Sequence, residues 1–82
     1  MKRLTIRVTQ EDIDDGERRN GEQCPIALAM SRALGDDYVS VGDEYVTGSV
    51  YDWELSRTAR QWVRRYDDGL RVAPATFRVS VW

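Results

Sequence analysis

The first residues alternate between polar and apolar side chains, with Arg3, Thr5 and Arg7 on one side of an extended chain and Leu4, Ile6 and Val8 on the other. Side chains of a strand have a period of two, so this pattern predicts a strand with one face against a core. Thr9 follows as a helix N-cap, with Asp12 at N3 and Val8 and Ile13 at N′ and N4. Together these make a Thr/Asp variant of the capping box with a hydrophobic staple, and Glu11 and Asp12 put negative charge where the helix start favours it. Gly16 stops this short helix after about one and a half turns.

Residues 17–22 have no apolar period and read as an exposed loop with an Asn20-Gly21 turn. A second helix is predicted over residues 24–35. Pro25 suits its first position, where the missing N–H costs nothing, and Gly35 supplies a left-handed stop. Ile26, Met30, Ala33 and Leu34 share one face of it, with Ala27 and Ala29 on the margins and Leu28 opposite. Tyr38–Val41 and Tyr45–Tyr51 read as two strands joined by Gly42-Asp43-Glu44, with Gly48 marking a bulge or bend in the second. Val50 to Trp53 either continues that sheet or leads irregularly into the next helix.

From Ser56 to Asp68 the period is helical: Leu55, Ala59, Trp62, Val63 and Tyr66 form an inward stripe, while Arg57, Arg60 and Arg64 fall opposite, with Arg65 between. Gly69 ends this helix, Pro74 marks a turn, and residues 75–82 alternate again with Phe77, Val79 and Val81 on one face. The expected fold is α+β: a two-layer domain of about four mainly antiparallel or mixed strands, two main helices on one side and one short N-terminal helix. If the terminal strands pair, the open sheet face carries Arg3, Thr5, Arg7, Arg78, Ser80 and Trp82.

Size and composition narrow the class. The chain of 82 residues gives room for a single domain, 1–82, and its 41% hydrophobic and 32% charged residues favour order over disorder. No apolar run approaches the ~20 residues of a membrane span, and the basic start runs directly into the first strand without a signal-peptide core. A cytoplasmic location is therefore expected, with no membrane partner. The single Cys24 allows no internal disulfide, consistent with a reducing compartment.

The net charge of −2 conceals an asymmetry. Acidic side chains outnumber basic ones two to one in residues 1–55, and basic outnumber acidic three to one in residues 56–82. Nearly all the positive charge is arginine, whose planar guanidinium makes bidentate contacts with carboxylates and phosphates.

Two segments, Thr9-Gln10-Glu11-Asp12-Ile13-Asp14-Asp15-Gly16 and Cys24-Pro25-Ile26-Ala27-Leu28-Ala29, together resemble a group of small uncharacterised proteins encoded by bacteriophages, especially those of actinobacteria. The resemblance extends through the arginine-bearing helix and the Phe77-containing strand. It implies a phage origin, hence a place in the host cell cytoplasm, and the same element order. It supplies no activity, ligand or catalytic residue.

Candidate chemistry is sparse. Histidine is absent, no phosphate-binding glycine loop occurs, and one cysteine is too few for a zinc site. Enzymatic function is disfavoured, and no cofactor is expected. The remaining enzyme reading places a magnesium ion on Asp12, Asp14 and Asp15, since hard cations take oxygen ligands, against the plainer reading that these residues cap and solvate a helix. Cys24 at a helix start is either a reactive thiol or a buried, inert one.

Arg57, Arg60 and Arg64, with Arg71 beyond the helix, form the candidate contact surface, and Trp53 and Trp82 are candidate anchors. The expected function is a non-enzymatic protein-interaction module that binds a host or phage protein or self-associates. Nucleic-acid binding through the arginine-bearing helix is the first alternative, and a metal-dependent enzyme is the second.

Overall fold

The computed structural model describes residues 2–81. Its elements run β1 (Arg3–Val8), α1 (Gln10–Asp15), α2 (Pro25–Leu34), β2 (Ser40–Val41), β3 (Tyr45–Thr47), β4 (Asp52–Leu55), α3 (Arg57–Asp67) and β5 (Ala75–Val81). The five strands form one antiparallel sheet in the order β1-β5-β4-β3-β2. β5 therefore inserts between β1 and β4, joining the start of the chain to the meander formed by its middle.

The alternation read from β1 holds. Ile6 and Val8 are buried, Leu4 is half-buried, and Arg3, Thr5 and Arg7 are exposed. Register carries that division across the sheet: Ile6 faces Phe77, Leu4 faces Val79, Val79 faces Leu55, and Val46 faces Trp53. These residues, with Ile26, Ala27, Ala29 and Met30 of α2 and Ala59 of α3, make one hydrophobic cluster. α2 packs on β1 and reaches β2, the two outermost strands, so it bridges the width of the sheet. α3 packs on β5 through Trp62, whose ring meets Phe77 edge-on at 5.8 Å. Both longer helices thus cover the same sheet face, and among the described residues no helix lies over the other face.

The caps explain where the helices begin and stop. Thr9 Oγ1 accepts the Asp12 N–H at 3.2 Å, and Asp12 Oδ2 accepts the Thr9 N–H at 2.9 Å, which completes the reciprocal box. Cys24 caps α2, its Sγ accepting the Ala27 N–H at 3.4 Å, and Ser56 Oγ accepts the Ala59 N–H at 3.2 Å. Gly35 takes the left-handed conformation at φ 64°. At the end of α3, Leu70 N–H bonds to Arg65 O and Gly69 N–H to Tyr66 O, a Schellman pair that puts Gly69 at φ 81°.

Three details differ from the sequence expectation. The expected strand over residues 45–51 shortens to Tyr45–Thr47, because the chain reverses at Ser49-Val50, where Gly48 N–H bonds to Tyr51 O, and the returning strand β4 begins at Asp52. The Asp36 carboxylate fixes that reversal by accepting the Ser49 N–H at 2.8 Å and its hydroxyl at 2.7 Å. The expected strand over residues 38–41 shortens to Ser40–Val41, and Tyr38 is left 80% exposed. Ala33, placed on the inner face of α2, is exposed in the last turn of the helix, whereas Pro25 and Ala27 are buried. Gly16 ends α1 as expected, with extended backbone at φ −75°, and a Cβ there would come within 2.8 Å of Pro25 Cδ.

Candidate interaction surface

Of the expected contact residues, the α3 arginines come closest to expectation. Arg57 and Arg64 are exposed and Arg60 is half-buried, all on the side away from Ala59 and Tyr66. They do not form an isolated positive row. The β2–β3 turn brings Asp43 and Glu44 against them in a shallow groove, and Arg60 Nη1 lies 3.7 Å from Glu44 Oε1. Arg71 is exposed but lines a different hollow, between α1 and the segment after α3, so it does not extend the row.

Trp53 is a core residue. It is only 4% exposed, lies on the buried side of β4, and meets Tyr51 edge-on at 6.0 Å. The alternation Asp52, Trp53, Glu54, Leu55 turns its indole to the same face as Leu55, which removes it from the anchors. Trp82 lies outside the described residues.

Cys24 is buried in the hydrophobic cluster, and burial raises its thiol pKa. Its sulfur serves as a helix cap, so the inert reading of the thiol fits and the reactive one does not. The carboxylates of α1 do not converge on a cation. Asp12 is occupied by Arg32, Asp14 Oδ1 accepts the Gln10 amide at 2.9 Å, and among the described residues no three such side chains gather for a metal.

The Asp12 carboxylate gathers three polar contacts. Arg32 Nη1 and Nη2 reach its two oxygens at 2.7 and 2.8 Å, and Nη2 also donates to the Arg7 carbonyl at 3.0 Å. The Arg32 hydrogen bond is the main reason the Asp12 carboxyl is held below the ordinary range. This pair ties α1, α2 and β1 together. Arg32 was not singled out from sequence because its partner lies twenty residues away.

The uncovered sheet face presents a surface of a different kind. Arg3, Arg7 and Arg78 stand on adjacent strands, with Thr5 directly opposite Arg78 and the other two arginines diagonal to it. Thr76 and Ser80 complete the β5 side. Among the described residues none of these three guanidinium groups makes an ion pair or a side-chain hydrogen bond. Asp52 and Glu54 lie further across the same face on β4. One half is therefore basic and the other acidic.

Comparison with protein-family models, curated proteins and solved structures gives no match. The surface must be read from its own chemistry. Unpaired guanidinium groups on a solvated sheet face recognise carboxylates or phosphates, and strands hold their Cα atoms at fixed separations, about 13 Å between Arg3 and Arg7 along β1 and about 7 Å on the diagonal from each to Arg78. Among the described residues no helix is long and apolar enough to cross a membrane.

Proposed function

We propose that this domain is a non-enzymatic protein-binding module whose contact surface is the basic half of the open sheet face. The observation that carries the reading is the trio Arg3, Arg7 and Arg78, exposed on neighbouring strands without a carboxylate partner among the described residues. The α3 row is the weaker surface, because Asp43 and Glu44 already answer its charge. The partner chemistry that fits is a carboxylate-rich protein segment of host or phage, met inside the host cell.

Nucleic acid fits this surface less well. A polyanion following the face would leave the two-strand basic strip and meet Asp52 and Glu54, and the domain carries net negative charge.

The test is calorimetric titration with a blocked glutamate-rich peptide and, separately, a single-stranded oligonucleotide, each at two salt concentrations. Peptide binding lost in Arg3→Glu/Arg7→Glu/Arg78→Glu and retained in Arg57→Glu/Arg60→Glu/Arg64→Glu supports the reading. The reverse pattern moves the site to α3. Binding of the oligonucleotide alone replaces the reading with nucleic-acid recognition.

A further inference from the structure

β1 is the longer of the two edge strands, and its ladder fixes which of its backbone groups are spoken for. Val81 N–H bonds to Lys2 O at 2.9 Å, and the register pairs Leu4 with Val79, Ile6 with Phe77 and Val8 with Ala75. Antiparallel ladders alternate hydrogen-bonded and non-hydrogen-bonded pairs, so Leu4, Ile6 and Val8 exchange bonds with β5 while Arg3, Thr5 and Arg7 point theirs outward. The Arg7 carbonyl confirms this direction, since it accepts Arg32 Nη2 from outside the sheet. That leaves the N–H and C=O of Arg3 and Thr5, and the N–H of Arg7, without a partner among the described residues.

The residues with free backbone groups are also those whose side chains stand on the open face beside Arg78. A strand laid antiparallel along β1 would place its bonded residues directly opposite Arg3, Thr5 and Arg7, with their side chains on that same face. Carboxylates at those positions would meet Arg3 and Arg7 directly. The one opposite Thr5 would reach across that short side chain toward Arg78.

A second copy of this chain is a poor occupant. The fullest antiparallel overlap of two β1 strands centres on Thr5 and sets Arg3 against Arg7 of the other copy, twice, and like charges directly opposite one another destabilise a strand pair. Arginine on an edge strand is a recognised guard against such pairing.

We propose that β1 binds an extended acidic peptide by antiparallel strand addition, with carboxylates at alternate positions on the arginine face. This rests on the protein-binding reading above and specifies its mode: main-chain bonds to Arg3, Thr5 and Arg7 hold the peptide, and the arginines select its side chains.

The probe is a blocked nonapeptide alternating glutamate with valine, compared with the same peptide N-methylated at its glutamates. Methylation keeps every charge but removes the N–H groups that would face β1. The expected results are binding weakened about tenfold or more by methylation, and slowed amide exchange at Arg3, Thr5 and Arg7 but not at Leu4, Ile6 and Val8, which already face β5. Thr5→Pro removes one outward N–H and leaves the β1–β5 ladder its bonds, so it should weaken the unmethylated peptide while retaining the native amide spectrum.

Equal affinity for both peptides with unchanged exchange overturns strand addition and leaves the arginine surface standing. No binding of either peptide overturns both. Protection of the same alternate amides on raising protein concentration alone identifies a second copy as the occupant, and oligonucleotide binding in place of peptide identifies a nucleic acid; either result overturns the proposal.

Discussion

The Asp12 carboxylate holds the Arg32 guanidinium through both oxygens, at 2.7 and 2.8 Å, while its Oδ2 also accepts the Thr9 N–H. One side chain therefore closes the α1 cap and fastens α2 to α1, and Arg32 carries the link on to the Arg7 carbonyl of β1. Asp12 is nearly buried, but Arg32 is half in water, which screens the pair. Asp12→Asn should cost about 2 kcal/mol, in the range of a lost cap together with a charge-assisted hydrogen bond, read from urea unfolding at neutral pH.

The same pair sets a pH dependence. Because the folded-state pKa of Asp12 is depressed, its stabilisation is complete above the unfolded value of about 3.9 and is lost as pH falls from there through the folded value. The stability difference between the native protein and Asp12→Asn should be constant from pH 7 to pH 5 and narrow below about pH 4. A difference that widens in acid would show that the charge on Asp12 is not what matters.

Trp62 combines three contacts: it stacks on Tyr66 at 5.9 Å, meets Phe77 edge-on, and donates its indole N–H to the Ala73 carbonyl at 2.9 Å. Trp62→Phe keeps the ring contacts and loses the hydrogen bond, an expected cost of about 1 kcal/mol. Trp62→Ala loses both and should cost about 3 kcal/mol, the low end for a large aromatic since the ring is only partly buried. Thermal unfolding of the pair separates the two contributions.

The Cys24 thiol should react with a disulfide reagent far more slowly in the native protein than in denaturant, because burial both shields it and disfavours the thiolate. Equal rates would mean that the helix start opens readily. Cys24→Ser retains an acceptor for the Ala27 N–H and should preserve α2, whereas Cys24→Val removes it and should lower the melting temperature.

Gly69→Ala forces a Cβ into a left-handed backbone at φ 81° and should cost about 1 kcal/mol by denaturant unfolding. Gly21→Ala should cost more, because its Cβ would run into the Val41 carbonyl oxygen, which is backbone and cannot swing aside. Retention of full stability in Gly21→Ala would show that the loop of residues 17–23 can lift from β2.

Signals confined to a few neighbouring residues were legible in the sequence. The Thr9 and Asp12 box, the Cys24 and Ser56 starts and the Gly35 stop each depend on groups within four residues, and the alternation of β1 and β5 gave the two faces of each strand, though not that the strands pair. Distant partners were not legible. The turn at Ser49-Val50 is held by Asp36, the Asp12 charge by Arg32, and the α3 arginines are shadowed by Asp43 and Glu44 from another element. Trp53 illustrates the cost of an unseen strand. Without β4, its indole has no assigned face, and an aromatic beside a helix start reads as a surface anchor until register turns it inward.

The placement of β5 between β1 and β4 has a consequence for synthesis. While the ribosome is still extending the chain through residue 74, β1 has no neighbour and the meander has one raw side, so Ile6, Leu55 and Trp53 lack the strand that joins them. Nascent chains of this protein should stay protease-sensitive and in need of chaperone shelter until residues 75–81 clear the exit tunnel, after which both halves lock in a single late step.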